Sequence, residues 1–157
     1  MKVLKDMQEI VSKVRRLSAQ DVKGVSSGIE QLREIRSSVY EDLNQIQHEY
    51  LLLRGLAWLR ANGFSSSVGR WEWNPRQTGS RNEPDLRGSG HSKILLSAEA
   101  STSEFPAGKV ASRMQETLEK LSQMEGEKFY FVSTIEMANR AETKIRKANW
   151  SIKVVLV

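Results

Sequence analysis

The sequence has 157 residues and no cysteine, which excludes disulfides, thiolate chemistry and any Cys-based zinc site. Long apolar runs are missing too. None approaches the ~20 residues that a membrane span requires. The stretch from Met1 to Leu17 is charged throughout, unlike a signal peptide. No internal repeat or low-complexity segment is visible. These absences lead us to expect a soluble, cytoplasmic protein with no membrane partner. Histidine is scarce, with only two residues. His91 lies in a loop leading into a strand, and His48 points about 100° away from its neighbour Glu49 on a helix. Both read as structural or surface groups.

Charged residues make up 27% and hydrophobic residues 39%, enough apolar material for one domain with a real core. The net charge of +5 fits a nucleic-acid partner. Its distribution is uneven. Arg54, Arg60, Arg70, Arg76, Arg81 and Arg87 share a segment whose acids are Glu72, Glu83 and Asp85. Guanidinium forks suit phosphate oxygens, so these arginines read as phosphate contacts or, alternatively, as a solvated loop surface.

Val3, Met7, Ile10, Val14 and Leu17 form a heptad seam on a first helix. The polar stretch Ser18 to Gly28 breaks it, with Ser26 or Ser27 as a cap for the next helix. Ile29, Leu32, Ile35, Val39, Leu43, Ile46, Tyr50 and Leu53 extend the pattern over a long second helix from about Ile29 to Ala61. Its latter half is apolar on more than one face and should pack on a sheet. The two helices read as a hairpin with ordinary core packing or as a homodimerisation surface.

Phe64 to Gln77, with Trp71-Glu72-Trp73 alternating, predicts a strand ended by Asn74-Pro75. Trp71 and Trp73 are candidates for base stacking, although core packing is the better reading for at least one. A polar loop from Gln77 to Asn82 comes next. Short strands are predicted around Asp85 to Arg87 and from Ser92 to Ser101, with a turn at Gly88-Ser89-Gly90. Ser103 and Pro106 should open a helix burying Val110, Met114, Leu118, Leu121 and Met124. Lys109, Arg113, Glu116 and Lys120 fall on its other faces. A strand at Lys128 to Thr134, a helix at Glu136 to Ala148 and a strand at Trp150 to Val157 complete the chain.

The most informative stretch is Glu83 to Ser101, EPDLRGSGHSKILLSAEAS. Alternation along a strand puts Glu99 and Ser101 on one face and Ala98 and Ala100 on the other. A carboxylate near the end of a buried strand is costly unless it is paired or metal-bound. If the preceding segment forms a hairpin with this strand, Asp85 and Glu99 converge into a site for a hard divalent cation.

Pro84-Asp85 followed by Glu99-Ala100, within this order of elements, resembles the PD-(D/E)XK nuclease superfamily. The resemblance covers about 41–157 and leaves 1–40 as a helical extension. It implies an α/β restriction-endonuclease-like core: helix, three-strand meander, helix, strand, helix, strand. It further implies Mg²⁺- or Mn²⁺-dependent hydrolysis of DNA, with Asp85 and Glu99 as catalytic metal ligands and the Ala100 carbonyl as a third. The family often adds a glutamate from the helix before the meander, here Glu49 or, less well placed, Glu41; a solvated helix face is the other reading of Glu49. Arg70, Arg76, Arg81, Arg87 and Arg113 are the nucleic-acid contacts it suggests. Ser101 stands where the family has its lysine. Either the lysine has migrated, with Lys109 the substitute and Arg113 next, or catalysis is lost and the domain is a nucleic-acid-binding or protein-interaction module. A homodimer through the N-terminal helices would suit double-strand cleavage.

Overall fold

The structure, a computed structural model, describes residues 2–75 and 83–157. Its elements are α1 (Lys2–Ser18), α2 (Val25–Ala61), β1 (Arg70–Trp73), β2 (Leu86–Gly90), β3 (Lys93–Ser101), α3 (Lys109–Ser122), β4 (Glu127–Val132), α4 (Ile135–Ala148) and β5 (Lys153–Leu156). The protein is thus mixed α/β, with four helices and one mixed five-stranded sheet among the described residues. No helix of the described residues is long and apolar enough to cross a membrane. The chain divides into two compact units, Met1–Tyr50 and Leu51–Val157, with the boundary inside α2.

In the N-terminal unit α1 and the first part of α2 run antiparallel. The Gln31 side chain donates to the carbonyls of Leu17 and Gln20, and Lys13 lies 3.8 Å from Asp42. Val3, Leu17 and Ile46 are buried. The seam read from the sequence is only partly used. Met7, Ile29, Leu32 and Leu43 are exposed, as are Leu4, Val11 and Tyr40. Two helices have too few facing positions to cover every apolar residue they carry.

In the second unit the strands lie in chain order, β1-β2-β3-β4-β5. The first three are antiparallel, and β3-β4 and β4-β5 are parallel, as helical crossovers require. One face carries Leu86, Leu96, Ala98, Phe129, Phe131 and Val155 and packs on Leu52 and Leu59 of α2. On the other face Tyr130 and Val132 pack among Met114, Leu118 and Leu121 of α3 and Met137, Ala141 and Ile145 of α4. Trp71 packs against the first core, whereas Trp73 is exposed.

Local chemistry shifts some expected boundaries. Gly88-Ser89-Gly90 is not the turn. It lies in β2, with a bulge between Gly88 and Ser89, and the chain reverses at His91 and Ser92. Both residues take positive φ, 52° and 61°, as a tight two-residue hairpin turn demands. Gly90 is needed in the strand because a Cβ there would collide with the Ser67 carbonyl. Helix α3 starts later than Ser103 and Pro106 suggest, behind Gly108. Helix α4 begins at a Thr134 cap that accepts from the Met137 amide, and ends at Asn149 with φ 53°.

Candidate functional site

Asp85 immediately precedes β2, and its placement is fixed from both sides. The Asn74 amide donates to the Asp85 carbonyl at 2.9 Å, and the Asn74 side chain holds Glu83 at 2.9 Å. Leu86 pairs with Ala98, so the β2-β3 hairpin carries Asp85 to the C-terminal half of β3. There the Ala100 amide donates to Asp85 Oδ2 at 3.0 Å. Glu99 projects from the α3-α4 face, beside Tyr130 in the β3-β4 register. Both carboxylates are enclosed by the fold, Asp85 at 1% and Glu99 at 3% exposure.

The basic group brought to Glu99 is Lys120, in the last turn of α3. Its Nζ lies 2.7 Å from Glu99 Oε1, at a distance for a charge-assisted hydrogen bond. The expectation that Lys120 points away from the packed side is corrected: its side chain is only 21% exposed. Lys109 is exposed at the opposite end of the helix, about 16 Å along the axis from Lys120. Arg113 is exposed as well.

Tyr130 is a part of this site that the sequence reading missed. Its hydroxyl shares a hydrogen bond with Ser101, and its pKa is pushed up to about 12. Burial is the main cause, and the nearby negative charges of Glu99 and Asp85 add to it. The phenol is therefore a neutral hydroxyl at physiological pH. A signal was present in Phe129-Tyr130-Phe131, where alternation sends the tyrosine to the opposite face from its neighbours and a buried phenol needs a partner.

Among the arginines, Arg87 faces Glu72 across β1-β2, with Nη1 3.3 Å from Oε2, and Arg70 lies 3.4 Å from the same carboxylate. Arg76 and Arg81 lie outside the described residues. Glu49, on α2 in the N-terminal unit, is 1% exposed and accepts from Gln45 at 3.2 Å, which overturns its reading as a solvated face. His91 is exposed in the hairpin turn and His48 is half-buried.

The donor set at Asp85 and Glu99 is two buried carboxylates, hard oxygen ligands of the kind Mg²⁺ takes alongside substrate phosphate and water. The described residues contain no cluster of three or more His, Cys, Asp or Glu arranged around one metal position. Comparison with known protein families, with curated protein sequences and with solved structures returns no match.

Proposed function

We propose that this chain is a metal-dependent nuclease of the PD-(D/E)XK type, with a restriction-endonuclease-like core, that hydrolyses phosphodiester bonds in DNA. The observation that carries the reading is a pair of buried carboxylates on neighbouring strands, Asp85 held by the Ala100 amide and Glu99 by Lys120. Asp85 and Glu99 would hold Mg²⁺ or Mn²⁺. When bound, the ion supplies Lewis-acid polarisation of the phosphate and lowers the pKa of a water. Lys120 takes the role of the motif lysine that Ser101 cannot fill. Its ammonium orients Glu99 and offers its remaining N–H donors to developing negative charge. The Ala100 amide holds Asp85 in place, and the neutral Tyr130 hydroxyl fixes Ser101. Arg70 and Arg87 supply positive charge for the DNA backbone.

The N-terminal unit serves homodimerisation in this proposal. Helix α1 carries Lys2, Lys5, Lys13, Arg15 and Arg16 against Asp6 and Glu9, whereas α2 up to Tyr50 carries Glu30, Glu34, Glu41, Asp42 and Glu49 against Arg33 and Arg36. A second copy packed isologously, α1 against the partner's α2, meets opposite charge and covers the exposed apolar positions. A cytoplasmic location belongs to the same proposal.

One observation favours a second reading, a catalytically inactive nuclease-like domain that binds nucleic acid or protein. The Lys120–Glu99 pair already neutralises Glu99 within the protein, so the fold does not need a metal to tolerate that charge. Plasmid cleavage with Mg²⁺ or Mn²⁺ separates the two. Cleavage lost in Lys120→Ala and retained in Lys109→Ala supports the nuclease. Folded wild type that binds DNA without cutting it supports the inactive module.

A further inference from the structure

Beside the carboxylates, on the α3-α4 face of the sheet, lies a cavity of about 320 Å³. Arg87 and Lys120 line it, with Ser97, the Gln123 amide side chain and the apolar groups of Ile94 and Met124. Ser97 opposes Arg87 in the β2-β3 register and stands two residues before Glu99, about 6–7 Å along the same face of β3. Lys120 belongs to both places, since its Nζ contacts Glu99 while its side chain forms cavity wall.

We propose that this cavity is a mononucleotide subsite, which holds one nucleoside 5′-monophosphate unit of the strand that Asp85 and Glu99 act on. Its place in the reaction rests on the nuclease reading. Two cations from different elements converge on the cavity, as a phosphate requires. Glu72 engages Arg87 only at Nη1 among the described contacts, and the side chain is partly exposed, so the guanidinium retains its Nη2 donors. Ile94 and Met124 offer an apolar wall to sugar or base, and Gln123 offers an amide to a base edge. The volume lies within the range of small-ligand sites. Glu125 is the opposing charge on the wall. Its side chain is exposed, where solvent screens it, and its backbone carbonyl is occupied by the Ser97 hydroxyl at 3.0 Å.

The test is calorimetric titration in EDTA with thymidine 5′-monophosphate, thymidine and inorganic phosphate. The nucleotide should bind, with thymidine and phosphate each about tenfold weaker or more. Gln123→Glu, which leaves the hydrophobic cores untouched, should weaken the nucleotide about tenfold by replacing the amide donor offered to the base edge with a carboxylate. Gln47→Glu, remote in sequence and exposed, should not. Absence of nucleotide binding, indifference to Gln123→Glu, or phosphate binding as tightly as the nucleotide would each overturn the proposal. Nucleotide binding without DNA cleavage in Mg²⁺ would sink the nuclease reading and leave the subsite standing. Cleavage without nucleotide binding would remove the subsite alone.

Discussion

Lys120 and Glu99 form a pair whose loss should be felt twice. Lys120→Ala takes a close countercharge from a buried carboxylate, so it should lower stability by about 3 kcal/mol in denaturant unfolding. It should also cut metal-dependent cleavage by about a hundredfold or more, the usual cost of losing a preorganised charge at a reacting phosphate. Lys120→Arg should recover most of the stability, and Lys109→Ala should leave both quantities near wild type. Tyr130 makes a separate prediction. Its pKa rises from 10.0 in the unfolded chain to about 12 in the fold, so the neutral form is the one the fold favours. That stability is fully present below pH 10 and is lost as pH climbs through 12, in total about 2–3 kcal/mol. Tyr130→Phe should flatten the alkaline loss between those limits.

The helices and strands differ in how far local sequence determines them. The placement of Asp85 and Glu99 on paired strands was legible, because turn residues separate Pro84-Asp85 from the continuous apolar run that leads to Glu99. Lys120 was not. On helix α3 it is one basic residue among several, and which of them reaches the sheet depends on the length of side chain available beside Leu118 and Leu121, a matter of docking rather than pattern. The β2-β3 turn was misplaced for a related reason. Glycine usually signals a turn, but Gly90 is required by a close backbone approach in the strand, Gly88 packs tightly against Leu96 and Val68, and His91 and Ser92 bear the positive φ. Ser92→Gly should therefore stabilise the fold by about 0.5–1 kcal/mol, as thermal unfolding would register. Helix α2 offers the opposite case. Gly55→Ala improves helix propensity, yet its Cβ would stand 2.6 Å from the Phe131 ring. Overpacking should win, with a net loss of about 1–2 kcal/mol in the same measurement.

Across the whole molecule, the exposed apolar positions concentrate in the N-terminal unit, where Leu4, Met7, Val11, Ile29, Leu32 and Leu43 lie open. Sedimentation should show a concentration-dependent dimer that weakens at high salt, because α1 and α2 carry opposite net charge. Leu32→Glu should shift it to monomer without unfolding, since Leu32 is 63% exposed in a single chain. A salt-independent monomer in both proteins would remove the dimer from the account.

Asp85 and Glu99 are proposed to form a metal-dependent hydrolytic site. It is tested most directly by incubating plasmid DNA with wild type and with Asp85→Ala, each shown to be folded, in Mg²⁺ and in EDTA. Wild type should nick or linearise the plasmid in Mg²⁺ alone, and the variant should do neither. Equal cleavage by both proteins, or cleavage that persists in EDTA, would contradict the proposal.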